Sequence, residues 1–127
     1  DVIADRAELL INKADALEPK NSEISCIKSM IASLRMMVDP MQRWQQYGAL
    51  SSQLLEEAKK QDPTNPRPFA LLAQNLFYTP AQFGGGCTTA KPVAEEGVKL
   101  LDAFKAKSPL HPTWGKTQFD MVLGQCK

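Results

Sequence analysis

Three stretches decide the fold of this chain: Ala14–Leu17–Glu18–Pro19–Lys20–Asn21, Ala58–Gln61–Asp62–Pro63–Thr64–Asn65 and Phe104–Lys107–Ser108–Pro109–Leu110–His111. Each ends one amphipathic run and opens another. Proline stops the run before it, because its ring drives the preceding residue out of the α region. The three prolines stand 44 and 46 residues apart. A helix end that recurs at this period predicts helical hairpins stacked in an array, an architecture built for binding.

Working outward from these stops, apolar residues recur at three and four. The spacing predicts a first helix over 2–18, with Ala7, Leu10, Ile11, Ala14 and Leu17 on its inner face. A second follows over 22–38, capped by Asn21 or Ser22, with Ile24, Ile27, Ile31 and Leu34 inward. Asp39–Pro40 then reads as a cap with proline at the first helical position. The third helix, 40–61, carries Met41, Trp44, Gly48, Ser51, Leu55 and Ala58 in one stripe. Gly48 in that stripe reads as a point of close helix approach. A fourth helix, 66–78, turns Phe69, Leu72, Ala73 and Leu76 inward. After a Gly-rich loop come a fifth helix, 89–107, and a last one, 114–126, whose inner face is Phe119, Val122, Leu123 and Cys126. No segment alternates with the period of a strand. The expected fold is all-α, antiparallel, and a single domain over 1–127.

Composition narrows the function. The chain has 127 residues, 43% of them hydrophobic, and a net charge of +1. No apolar run approaches the ~20 residues that span a bilayer. No basic stripe interleaves with aromatics, which argues against nucleic acid. The chain opens inside a helical pattern and without Met, so it is expected to be part of a longer precursor.

Candidate chemistry is sparse. Gly84–Gly85–Gly86 precedes a helix, but Cys87 stands where a phosphate loop needs Lys. His111 is the sole histidine and sits in a Pro-rich turn; it reads as a turn residue packing near Trp114 rather than a general base. Cys26, Cys87, His111 and Cys126 lack the close pair of a zinc site. Glu56–Glu57 and Glu95–Glu96 are helix neighbours and do not converge. No cofactor or metal is expected. Met30, Met36, Met37 and Met41 read as core filling, with an adaptable binding surface as the alternative.

The helix ends and stripes resemble the tetratricopeptide family. The triplets Ala7–Ile11–Ala14, Ser51–Leu55–Ala58 and Gly97–Leu101–Phe104 share one spacing ahead of their prolines. Phe69, Leu72, Ala73 and Leu76 match the first helix of a repeat. Leu76 to Gly86, ending in Phe-Gly-Gly-Gly, is similar to a loop of short tetratricopeptide-like proteins exported to the bacterial envelope. The resemblance implies a right-handed superhelix closed by a C-terminal capping helix. It implies a non-enzymatic scaffold for a protein or peptide, in the periplasm or otherwise exported. The partner groove would use Arg67, Gln74, Phe77 and Tyr78, with Ala70 exposed beside them. The alternative is a small-molecule-binding or accessory subunit of an envelope transport system. Homo-oligomerisation is left open. Counting helix directions brings Cys87 and Cys126 to the same end of the stack, which predicts a disulfide between them and leaves Cys26 free; the exported setting supplies the oxidising compartment.

Overall fold

The computed structural model describes residues 1–127 and is all-helical. The helices are α1 (Val2–Leu17), α2 (Ser22–Val38), α3 (Pro40–Arg43), α4 (Ala49–Gln61), α5 (Arg67–Tyr78), α6 (Cys87–Ala103) and α7 (Lys116–Gln125). A π-helical turn, Trp44–Gly48, joins α3 to α4, and a 3₁₀ turn, Ala81–Phe83, follows α5. No helix is long and apolar enough to cross a membrane. The chain divides into two compact units, Asp1–Pro63 and Thr64–Lys127. The boundary falls inside the second of the three repeated helix ends.

In the first unit, the caps form as their residues dictate. The Asn21 side chain accepts from the Glu23 N–H at 2.9 Å, and Asp39 accepts from the Gln42 N–H at 3.3 Å ahead of Pro40. α2 packs on α4 through small polar residues. The Ser29 and Ser51 hydroxyls are 2.8 Å apart, and the Ser33 and Ser51 hydroxyls 3.1 Å apart. Ser22 donates to the Ala58 carbonyl at 2.8 Å, and Ser25 bonds the Gln61 side chain at 2.7 Å. Serines let two backbones approach closely, but buried hydroxyls must then pair with one another. Here they do.

Several expected faces are turned. The stripe of the 40–61 helix holds over Ser51, Leu55 and Ala58, all buried, but Met41 and Trp44 are exposed. The π turn between them inserts an extra residue into the i→i+4 ladder and rotates everything before it. Gly48 is not a close approach either: a Cβ there would meet only the Met36 sulfur, at an ordinary 3.6 Å. In α1, Leu10 and Leu17 are exposed, and Ala4 is its buried residue. In α2, Ile31 is buried, while Ile27, Leu34, Met30 and Met37 reach solvent. The methionines at 30, 37 and 41 therefore do not fill a core; the serine seam occupies the face they would have used.

The second unit has an apolar centre of Ala70, Ala73, Ala90, Ala94, Phe119, Val122 and Cys126, contributed by α5, α6 and α7. Gly97 admits the Phe119 ring: a Cβ there would lie 2.4 Å from ring carbons. Gly84 and Gly86 take positive φ in the loop before α6, where side chains are strained. Gly85 packs on Thr79 so closely that a Cβ would lie 2.1 Å from its carbonyl oxygen. The run is thus a turn between helices. α6 stops at Ala103, so Phe104 lies beyond the helix that was expected to contain it. Cys87 and Cys126 are joined, with Cα atoms 5.2 Å apart, and Cys26 is buried and outside the disulfide.

Candidate functional site

The first unit contains a cleft of about 250 Å³. Its floor is one face of α2, where Lys28, Ile31, Ala32 and Arg35 recur at three, four and seven. One wall is α1, through Glu8, Ile11 and Asn12. The other is the π turn and α4, through Tyr47, Leu50 and Leu54. α2 thus carries two working faces: serines toward α4, and this mixed face toward the cleft.

The base and the α4 wall are apolar, the α1 wall carries Glu8 and Asn12 beside Ile11, and the rim is charged. Ile31 and Ala32 are buried at the base, and Leu50 is 40% exposed at the edge. Lys28 pairs with Asp15 at 2.7 Å. Arg35 bonds Glu8 at 2.6 Å and Asp5 at 2.7 Å, and its side chain is only 12% exposed. The hydrogen bonds to Asp5 and then Glu8 hold the Arg35 guanidinium above its ordinary pKa, so it stays a cation at any working pH. Lys28 and Arg35 are two helical turns apart, about 10.5 Å along the axis. Tyr47 lines the cleft one turn before Leu50, at the i, i+3, i+7 spacing of Tyr47, Leu50 and Leu54, and Arg43 lies 6.0 Å from its ring centre. An apolar slot with two cations along one edge suits a flat apolar ligand that carries carboxylates.

The residues expected to line a peptide groove lie in the second unit, on α5. Arg67 is 1% exposed, against the expectation that it faces solvent. Its guanidinium lies 4.6 Å from the centre of the Phe104 ring, which draws it inward as a cation over an aromatic face. Ala70 is buried as well, in the centre of the unit. Gln74 and Phe77 are half-buried, and Tyr78 is 68% exposed with its ring edge-on to Phe77. Of that set, Tyr78 presents an open face. His111 packs its ring on Phe104, with centres 5.4 Å apart, and takes no part in the cleft.

Sequence reasoning did not find the cleft. Its lining runs from Glu8 to Leu54, 46 residues apart, and Ile11, Ile31 and Leu54 look like ordinary core in any one helix. The signal that was available is the pair Lys28 and Arg35 flanking two apolar residues, Ile31 and Ala32, on one face of α2.

No family model matches the chain, and no curated protein does. Among solved structures, the chain is similar to the HusA haemophore from Porphyromonas gingivalis. The two are 46% identical and superpose with a TM-score of 0.86. The match covers 98% of this chain and 64% of that protein, so this chain spans a little under two thirds of its length. A disulfide persists in oxidising compartments. With the Cys87–Cys126 bond and this likeness, the protein is an exported one.

Proposed function

We propose that this chain is a non-enzymatic carrier that binds haem, or a porphyrin like it, in the cleft of its first unit. The observation that carries the reading is the cleft's chemistry, taken together with the likeness to a haemophore. Ile11, Ile31, Ala32, Leu50 and Leu54 offer apolar contact to a macrocycle, and Tyr47 offers a ring to stack on it. Arg35 and Lys28 face the positions where two carboxylate arms would lie. This favours the small-molecule reading over the peptide scaffold.

None of the residues lining the cleft is His, Met or Cys. With Tyr47 stacking on the ring rather than ligating iron through its phenolate, recognition rests on the macrocycle and its carboxylates. Iron-free protoporphyrin should then bind as well as haem, and a marked preference for haem would assign Tyr47 to the iron. A tetratricopeptide-like stacking of the hairpins belongs to the same proposal, supported by the three repeated helix ends. So does a handover surface for a receptor at Tyr78, supported by that ring's exposure.

Titrating haem and protoporphyrin against wild type and Leu50→Glu tests the reading. Leu50 is partly exposed, so the charge enters the slot without disturbing the core. Wild type should bind both ligands, and Leu50→Glu should weaken both by about tenfold, the cost of a carboxylate facing an apolar ligand. Equal binding by the variant would remove the ligand from this cleft.

A further inference from the structure

We propose that Asp5, Glu8 and Asp15 of α1 are internal stand-ins for the carboxylates of the ligand, so that capture of a dianionic macrocycle exchanges ion pairs and loosens α1 on α2. The inference rests on the porphyrin-binding reading for its ligand, but its mechanical half stands on the free protein.

Three observations converge. First, both cations that a dicarboxylate needs are already taken, and from one helix: Lys28 by Asp15, and Arg35 by Glu8 and Asp5. A ligand cannot pair with them fully while α1 holds them. Second, α1 is otherwise held by charge only at its start, where its capping residue Asp1 accepts two hydrogen bonds from Arg43, at 2.8 and 2.9 Å. Along its length it packs on α2 alone, and Ala4 is the one residue of its sixteen that is fully buried. Leu9, Leu10 and Leu17 all stand at more than half exposure. The carboxylates of these pairs are open to solvent, at 39% to 64% exposure, and ion pairs open on one side contribute little each and are screened by salt. Third, the cleft is too small as it stands. Its volume of about 250 Å³ lies below the roughly 300–1,000 Å³ that encloses a drug-sized ligand. Room for a macrocycle has to come from a wall. The opposite wall is fixed by the serine seam between α2 and α4, whose hydroxyls are buried and paired. α1 is the wall that can give.

Three carboxylates of α1 leave the two cations and two from the ligand arrive, so each cation keeps a partner. The released Asp5, Glu8 and Asp15 pass to water, where they are well solvated. The ligand's carboxylates would act as a key: a neutral porphyrin of the same shape has nothing to trade for α1.

The test compares wild type with the triple variant Asp5→Asn/Glu8→Gln/Asp15→Asn. A control variant, Glu56→Gln/Glu57→Gln/Glu95→Gln, makes the same change of net charge away from the cleft. In the free protein, hydrogen exchange of the α1 amides should quicken about tenfold in the triple variant and in 1 M salt, while α2 and α4 keep their protection. Circular dichroism confirms that the helices persist. Protoporphyrin added to wild type should quicken α1 in the same way. The triple variant should bind protoporphyrin about two- to fivefold more tightly than the control variant, the scale of the competing ion pairs. It should bind protoporphyrin dimethyl ester no more tightly than the control does. Unchanged α1 exchange in the free triple variant would overturn the proposal, as would greater protection of α1 on ligand binding or equal tightening of the ester. If neither wild type nor variant binds any porphyrin, the functional reading fails, and the exchange data on the free protein still decide whether ion pairs hold α1.

Discussion

The segment Asp1–Pro63 packs its helices through serine hydroxyls and ion pairs, whereas Thr64–Lys127 packs through alanines, Phe119 and a disulfide. The two are nearly equal in length and both helical, yet they are built for different ends. In the second unit, small residues let helices close around one large ring, and a covalent bond ties α7 to the start of α6. In the first, α2 spends one face on a hydrogen-bonded seam and another on a charged slot. A stripe of Ile27, Met30, Leu34 and Met37 is left at the surface. Polar seams fix geometry without burying much apolar area. A unit made this way leaves a small cleft, about 250 Å³, between α1, α2 and α4.

The contrast predicts where each unit breaks. Trp44 reports on the first unit and Trp114 on the second, so single-tryptophan variants read them apart by fluorescence. The largest effect should follow loss of the disulfide. Cys87→Ser/Cys126→Ser frees a loop closed at a separation of 39 residues, and the chain-entropy estimate for such a loop is about 3–4 kcal/mol. Denaturant unfolding at Trp114 should shift by that amount. Gly97→Ala comes next. Its Cβ would sit 2.4 Å from the Phe119 ring, so overpacking of about 1–3 kcal/mol should outweigh the gain in helix propensity.

Ser51→Ala carries the contrast to the first unit. It strips the shared partner from Ser29 and Ser33, and should cost about 1–2 kcal/mol at Trp44. The smallest effect has the opposite sign. Gly48→Ala adds a methyl where only the Met36 sulfur is near, at 3.6 Å, and should stabilise by up to about 1 kcal/mol. A destabilised Gly48→Ala, or a stabilised Gly97→Ala, would erase the distinction between the two glycines.

These two glycines show how far the sequence could be read. Both sit at the same kind of place in an apolar stripe, and nothing local separates them. Phe119 lies 22 residues from Gly97, and the π turn that spoils the stripe around Gly48 leaves no mark in residue spacing. Helix existence was legible, because periodicity and proline stops are local physics. The Cys87–Cys126 pairing was legible too, since helix directions follow from counting turns. Faces were less so. The serines of α2 passed for polar surface, so Met30 and Met37 were assigned to the core in their place. The inward turn of Arg67 depended on Phe104, 37 residues on and just past its helix. The cleft needed three helices at once.

The proposed seat of the ligand in the first unit can be mapped directly. Zinc protoporphyrin, titrated into isotopically labelled protein, should shift the amide and methyl resonances of Ile11, Ile31, Ala32, Leu50 and Leu54 in proportion to occupancy. The resonances of Ala73, Phe77 and Tyr78 should stay in place. Shifts centred on Phe77 and Tyr78, with the cleft methyls unmoved, would contradict the claim and return the binding surface to α5.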